Sequence, residues 1–280
     1  MRLSFLLLCT TTDALLNTLK RMVRRTPPPQ PHTSRATFSA FKDFLAAQQK
    51  VMCEAVEALD GEASFGEDAW TRGDGSRGLT RVIADGALVE KGCISTSFIS
   101  GTLTKARAEA MCGRGRENVK AGDRFEAVAL SLVLHAKSPH VPTLRGDARC
   151  FVVFDKDDRP REAWYGGGCD LTPCYLVEED VREFHAHWRD VCEGRYTEMK
   201  ATCDEYFYLP LRLEHRGVGG VFWDDDSSAD ADALARNVLG TMIASWAPIV
   251  KRRRGDAVAE AQRQWQLRGW LLHGRVDTER

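Results

Sequence analysis

The stretch FEAVALSLVLH (residues 125–135) decides the fold class. Its even positions 130, 132 and 134 are leucines, whereas its odd positions include Ser131 and His135. Side chains of a β-strand alternate between the two faces of a sheet. The stretch therefore predicts a strand with one core face and one face that carries polar groups.

A second strand is predicted at residues 149–154, after a loop at residues 136–148 that contains two prolines. Its side chains Arg149, Phe151 and Val153 share one face. We expect this strand to run antiparallel to the first. Ser131, His135 and Arg149 would then line one polar surface over the sheet.

Helices are predicted where apolar residues recur every three or four positions. In the helix predicted at residues 178–193, His185 falls on the core side, where a histidine is more often a structural residue than a metal ligand. Two shorter strand-like pieces are predicted around residues 86–89. No βαβα rhythm is present, so the sequence favours an α+β fold. The four predicted helices cover residues 39–59, 232–251, 178–193 and 200–209.

The composition excludes several classes of protein. The chain has 280 residues, of which 43% are hydrophobic and 28% charged, which excludes disordered, collagen-like and coiled-coil chains. No run of about 18 apolar residues is present, so we expect no membrane span. Lys and Arg total 39 against 40 Asp and Glu, which argues against a nucleic-acid partner. The nine cysteines form no C-x-x-C pair, which favours free thiols in a reducing compartment.

Residues 1–38 differ from the remainder, so we expect two regions: this extension and a folded domain at residues 39–280. The extension holds six basic residues, one acid and a proline-rich end at residues 27–31. Three interpretations fit this extension: a transit peptide, a secretory signal, or an irregular N-terminus of a cytosolic protein with no targeting role. We expect a cytoplasmic protein, with a mitochondrial location through the basic extension as the alternative.

The segment WYGGGCDLTP (residues 164–173) is the most unusual. Three consecutive glycines allow main-chain N–H groups to approach a ligand, and Asp170 would hold a fixed place in the loop. A phosphate-binding loop would continue with Gly-Lys-Ser or Gly-Lys-Thr, which is missing here. A tight turn closed by an Asp170 cap is the other interpretation.

The segment EHRGVGGVFWDD (residues 214–225) is a glycine-rich turn between a cation and several acids. No predicted strand precedes it, so it does not fit a dinucleotide fingerprint. Arg216 suits an anionic ligand, because a guanidinium binds a carboxylate through two hydrogen bonds. A surface ion pair between arginine and aspartate is the alternative interpretation.

Three segments together resemble oxygen-dependent coproporphyrinogen III oxidases. They are YGGGCDLTPCYLVEEDV (residues 165–181), CDEYFY (residues 203–208) and RGVGGVFWDD (residues 216–225). The SLVLH stretch ending at His135 and the HVPT stretch at residues 140–143 agree with the resemblance, which covers roughly residues 40–267.

The resemblance implies a large antiparallel sheet flanked by helices on both faces, and a homodimer. It implies oxidative decarboxylation of two propionates of coproporphyrinogen III to vinyl groups, which gives protoporphyrinogen IX in haem biosynthesis. Molecular oxygen is the implied oxidant and co-substrate. No organic cofactor is implied, and a metal is not expected.

The resemblance also assigns roles to residues. Asp170 is the implied acceptor for the pyrrole N–H groups and the implied catalytic base, with Arg149 beside it. Guanidinium groups would hold the propionates of the substrate. The implied substrate-binding residues are Ser131, Asp147, Ala148, Arg149, Arg212 and Arg216.

The chain departs from the family pattern in four places. Arg145 stands where the family has a proton-donor histidine, and Asp147 replaces the asparagine that usually follows it. Leu211 replaces another histidine. Only His135 and His185 remain as weak metal candidates, because two distant imidazoles make a poor site. After residue 267 the family pattern ends, and we expect the C-terminal part of the domain to be missing. A non-catalytic tetrapyrrole-binding or dimer-partner protein, or an inactive truncated member, is therefore the alternative to an enzyme.

Overall fold

The computed structural model describes the backbone of residues 33–276 and side chains to residue 269. The predicted features of residues 1–32 lie outside this region. Within it, three runs of three strands are separated by helices, and the fold is α+β as predicted. In chain order the elements are α1 (Arg35–Asp60), β1 (Gly66–Thr71), β2 (Arg77–Ala84), β3 (Val89–Thr102), α2 (Lys105–Gly113), β4 (Arg124–Ala136), β5 (Thr143–Phe154), β6 (Pro160–Thr172), α3 (Glu178–Cys192), α4 (Tyr196–Tyr206), β7 (Tyr208–Leu209), β8 (Glu214–His215), β9 (Gly220–Asp226), α5 (Ala231–Arg253) and α6 (Glu260–Val276).

The described residues form a seven-stranded antiparallel sheet in the order β1-β2-β3-β4-β5-β6-β9. The predicted pairing of β4 with β5 is confirmed, with Ala129 opposite Arg149 and Ser131 opposite Asp147. However, β5 begins at Thr143, so the predicted loop at residues 136–148 is too long. Residues 147–152 alternate partly exposed and buried side chains, but Gly146 and Asp147 conceal the start of this period in the sequence.

One face of the sheet is the main core. Leu130, Leu134 and Leu144 are fully buried there, as the alternation in β4 predicts. Helices α1 and α5 cover this face through side chains such as Phe41 and Trp246. Burying each such leucine contributes about 1.5–3 kcal/mol, which makes this face the main source of stability.

The opposite face is covered only in part. Helix α2 packs on one end of it through Met111, over the stacked rings of Phe125, Phe151 and Trp164. The helix has no apolar stripe that would have predicted it. Within the part of the chain that the structure describes, α2 covers only this end, so the middle of the face is open there and carries the polar side chains of β4, β5 and β6.

The triple-glycine segment lies inside strand β6, so its prediction as a loop or tight turn is wrong. A Cβ on Gly167 would lie 2.5 Å from the Asp147 carbonyl oxygen and 2.8 Å from the Trp223 ring. The glycines therefore make room for the aromatic side chains of β9. Glycine is normally unfavourable in a strand, but this packing requires it.

Three helix boundaries differ from the predictions by three or four residues. Helix α1 begins at Arg35 rather than residue 39, because the Ser34 hydroxyl caps it by accepting from the Thr37 N–H. Helix α4 begins at Tyr196 rather than at residue 200, and it ends at Tyr206 rather than at residue 209. Pro210 disfavours a helical conformation for the residue before it, and Leu209 instead pairs with Glu214 in the β7–β8 hairpin.

Helix α5 is long and apolar enough to cross a membrane by length and composition alone. However, 56% of its most apolar window is buried inside the protein, and Trp246 at its centre donates to the Pro142 carbonyl. Its apolar character therefore matches its place in the core of this fold.

Two strands, β2 and β3, do lie around residues 86–89, but residues 86–88 themselves belong to the turn between them, and β3 begins at Val89. The Asp60 carboxylate, at the end of α1, holds the turn by accepting from the N–H groups of Ala87, Leu88 and Val89. Burial raises the pKa of Asp60, but the backbone hydrogen bonds outweigh it and lower the pKa from 3.8 to about 2. Asp60 therefore joins the first helix to the sheet as an anion.

Replacing Asp60 by alanine is expected to lower the free energy of unfolding by about 2–4 kcal/mol, since it leaves buried N–H groups without an acceptor. The folded-state pKa lies below the unfolded value. The contribution is therefore present above pH 4 and lost as the pH falls from about 4 to about 2. Urea unfolding at several pH values measures both effects. The exposed Asp43, changed to asparagine, is the control, and equal acid sensitivity of Asp60→Ala and the wild type would contradict the assignment.

Candidate active site

The open face of the sheet places polar side chains on two adjacent rungs. One rung is Ser131, Asp147 and Gly168, and the next is Val133, Arg145 and Asp170. Paired residues of antiparallel strands share a face, and adjacent same-face rungs lie about 7 Å apart. We call this surface, formed by residues 131, 145, 147, 149 and 170, the polar face. It is the surface that the sequence predicted from β4 and β5.

Asp170 lies on β6 and not in a loop, which corrects the sequence prediction. Its side chain is 4% exposed and is held by the guanidinium of Arg216. Nη2 of Arg216 donates to Oδ1 at 2.7 Å and Nε donates to Oδ2 at 3.2 Å. Such a two-bond pair stabilises the ionised carboxylate. Asp170 is thus a buried anion on the floor of the polar face.

The glycine-rich turn brings Arg216 to Asp170 across 46 residues of sequence. Gly217 and Gly219 have φ values of +65° and +75°, which other residues rarely adopt. The Arg216 guanidinium lies 3.6 Å from the centre of the Phe207 ring, which fixes its plane. Arg216 therefore forms an ion pair with an aspartate, as the alternative interpretation held, but this pair is largely buried rather than on the surface. Binding of an anionic ligand by Arg216 stays a prediction.

His185 holds this turn from below. Its Nε2–H donates to the Val218 carbonyl at 3.0 Å, and its Nδ1 accepts from the Tyr196 hydroxyl at 2.9 Å. Burial lowers the pKa of His185, which favours the neutral ring that these two bonds require. Both ring nitrogens are engaged, so a metal would have to displace one of these bonds. His185 is a positioning residue in the core, as the predicted helix face indicates.

Arg149 is the second guanidinium of the polar face. It donates to Asp147 at 2.6 Å and to Asp224 at 3.3 Å, and it lies over the Phe222 ring at 5.7 Å. About a third of its side chain is exposed, so it faces both its partners and the solvent. It is therefore placed to bind an anion that enters from the open side.

Burial raises the pKa of Asp147. The neighbouring carboxylates of Asp224 and Asp170 raise it further, while Arg149 lowers it, and the net change is upward. Asp147 and Asp170 are thus two carboxyl groups on one face in contrasting environments.

Arg145, Arg212 and His135 line a cavity of about 340 Å³ at the end of the polar face. Arg212 pairs with Glu214 at 2.6 Å, and His135 Nδ1 lies 3.2 Å from the Thr143 hydroxyl. The predicted substrate residue Arg212 therefore borders this cleft, whereas Arg216 is paired with Asp170 and only its neighbour Gly217 lines the cleft. Ala148 does not, because its side chain is fully buried in the core on the opposite face. Only its backbone is near the polar face.

Comparison of the sequence with known protein families identifies one match. The profile of one family, described as coproporphyrinogen III oxidase, matches residues 40–272. The chain belongs to the coproporphyrinogen III oxidase family. Membership of this family places it in porphyrin biosynthesis and implies coproporphyrinogen III as the substrate.

For a coproporphyrinogen oxidase the arrangement is chemically suitable. The substrate carries four propionates and four inward pyrrole N–H groups, which call for cations around an acceptor. The polar face and its cleft supply Arg145, Arg149, Arg212 and Arg216 around the Asp170 carboxylate. Among the described side chains, no cluster of three metal-ligating groups is present.

Two residues of this face were not assigned by the sequence analysis. Asp224 shares Arg149 with Asp147, and Arg114, the C-cap of α2, lies 3.6 Å from Asp224. Both border a second cavity of about 410 Å³ with Arg149. Asp224 lies within the glycine-rich segment that the sequence singled out, so that motif was the available signal. Arg114 had none, since its helix was not predicted.

Proposed function

We propose that this chain is an oxygen-dependent coproporphyrinogen III oxidase. It would convert two propionates to vinyl groups, with O2 as oxidant and CO2 and hydrogen peroxide as products. The observation that carries the proposal is the buried Asp170 carboxylate held by Arg216 on an open face lined with arginines. It combines an anion able to accept N–H groups with cations able to hold carboxylates.

The residues would act in a definite order. Arg149 and Arg145 bind propionates from the open side and orient the macrocycle over the sheet. In this structure Arg216 covers Asp170. Transfer of the Arg216 guanidinium to a propionate uncovers the Asp170 carboxylate as the substrate arrives. Asp170 then accepts the pyrrole N–H groups and removes the proton from the carbon beside the ring.

A tetrapyrrole-binding protein without turnover is the second candidate. Arg145 favours it, since it stands on the polar face where the family resemblance implies a proton-donor histidine. An arginine does not donate a proton near neutral pH. This candidate predicts tight binding of coproporphyrinogen with no conversion.

Aerobic incubation of the purified chain with coproporphyrinogen III separates the two candidates. The oxidised porphyrins are resolved by chromatography, and an anaerobic sample is the control. Protoporphyrin formed only with oxygen supports the oxygen-dependent enzyme. Equal product without oxygen would contradict the role of O2, and bound but unchanged substrate would favour the second candidate.

We also propose that the enzyme needs neither an organic cofactor nor a metal, that it acts as a homodimer, and that it is cytoplasmic, with mitochondria as the alternative location. The basic composition of residues 1–38 supports that alternative. Activity after exhaustive dialysis against chelator and molar mass by light scattering test the first two points. Fluorescent fusion of residues 1–38 tests the third.

A further inference from the structure

The polar face holds two carboxyl groups on adjacent rungs, Asp147 and Asp170. Asp170 is buried and receives both bonds of one guanidinium from Arg216. Asp147 is 31% exposed and shares the guanidinium of Arg149 with Asp224. Asp170 therefore has one guanidinium to itself, whereas Asp147 shares its guanidinium with a second carboxylate.

The groups around Asp147 come from four elements. From its own strand, β5, come Arg149 and Arg145, and β6 contributes Asp170. Strand β9 contributes Asp224, whose charge is shared with Arg114, the residue directly after α2. From β4 it faces Ser131, which does not titrate in this range.

The two carboxyl groups therefore differ in their electrostatic environments. The two hydrogen bonds that the Arg216 guanidinium donates favour the ionised form of Asp170. Burial and the carboxylates of Asp224 and Asp170 favour the protonated form of Asp147 despite Arg149. Two carboxyl groups separated in this way commonly divide the acid and base roles of a reaction between them.

We propose that Asp147 is the general acid of this enzyme and protonates the peroxide formed from dioxygen. The proposal rests on the proposed function, and it assigns a role beyond substrate contact to this residue. Asp147 lies one rung, about 7 Å, from the base Asp170. Its side chain is also 31% exposed, whereas that of Asp170 is 4% exposed, so acid and base would reach different atoms of one bound substrate.

The step balances as follows. Asp170 takes one proton from the carbon beside the pyrrole, the bond to the carboxylate breaks to release CO2, and a carbon–carbon double bond forms. Two electrons remain and reduce O2 to peroxide. Asp147 supplies one proton to the peroxide, and the proton held by Asp170 supplies the second, which gives H2O2. Each turnover thus consumes one proton from solvent, through Asp147.

The test compares pH profiles of kcat for the wild type, Asp147→Asn and Asp147→Glu. A general acid must be protonated, so wild-type kcat should fall as the pH rises through the pKa of Asp147. Asp147→Asn should lower kcat by about 10²–10³-fold, remove this alkaline limb and leave KM within about threefold. Asp147→Glu should restore a titrating limb and part of the activity.

A neighbouring substitution tests the electrostatic origin of the effect. Asp224→Asn removes one negative charge and leaves Arg149 to Asp147 alone. Both changes favour the ionised form of Asp147, so the alkaline limb should move to lower pH. Carbon-13 NMR of aspartate carboxyls, with Asp147→Asn for assignment, follows the same titration without turnover.

The outcomes separate the two proposals. A wild type that makes no protoporphyrin overturns the proposed function and this role with it. An active wild type whose alkaline limb persists in Asp147→Asn overturns the acid role alone. A rise in KM without a loss of kcat would likewise overturn it, since that result assigns Asp147 to binding.

Discussion

Asp170→Asn is expected to lower kcat by about 10³-fold or more while the protein stays folded. The asparagine keeps the shape of the side chain but cannot accept a proton, and general-base catalysis contributes about 10²–10⁴-fold. It also leaves the Arg216 guanidinium opposite a neutral group, so the substrate loses an oriented cation as well. Steady-state rates of protoporphyrin formation measure the loss.

Asp180→Asn is a matched control for this substitution. The Asp180 side chain is 5% exposed and accepts from Arg252 at 2.9 Å and Arg253 at 2.8 Å, but it joins α3 to α5 outside the polar face. Its loss should lower Tm and leave kcat unchanged. A folded Asp170→Asn protein that retains more than about a tenth of wild-type kcat would remove Asp170 from the role of base.

Arg149→Ala is expected to raise KM by about 10–100-fold and to change kcat less. Hydrogen bonds to a charged group contribute about 1.5–3 kcal/mol each, which corresponds to this range. Arg149→Lys should recover only part of the affinity, because an ammonium cannot reproduce the two-bond geometry of a guanidinium. The dependence of the rate on substrate concentration gives both constants.

Arg161→Ala provides the control for the loss of a partly exposed arginine. Arg161 is 30% exposed and pairs with Asp123 at 2.8 Å, away from the cleft. Its removal should leave KM within the error of the wild type. An unchanged KM in Arg149→Ala would exclude Arg149 from the binding of propionates.

Local periodicity was enough to predict parts of this fold. The alternation in residues 125–135 correctly assigned Leu130 to the core and Ser131 to the open face, because a strand repeats every two residues. The apolar stripe of α3 correctly turned His185 inward. Where glycines or acids interrupted the period, as in β6 and the start of β5, the sequence predicted loops.

The functional residues were likewise predictable from local motifs, whereas the contacts between them were not. Motifs drew attention to Asp170, Arg216 and Arg149, and the antiparallel pairing placed Asp147 beside Ser131 as the alternation requires. No local pattern could show that Asp170 and Arg216 form one ion pair, or that Asp224 shares Arg149. These contacts join β6 and β5 to segments that return to the sheet edge after two intervening helices.

The sequence by itself therefore determined the fold class, the strand with its polar face, the inward histidine and the residue types of the cleft. Only the tertiary structure decided that the triple glycine is a strand, that Ala148 faces the core, and which carboxylate each arginine holds. The physical reason is the separation along the chain of the residues that interact. Alternation and helical periodicity act between near neighbours, whereas the space that Trp223 needs beside Gly167 and the charges that face Asp147 come from distant segments.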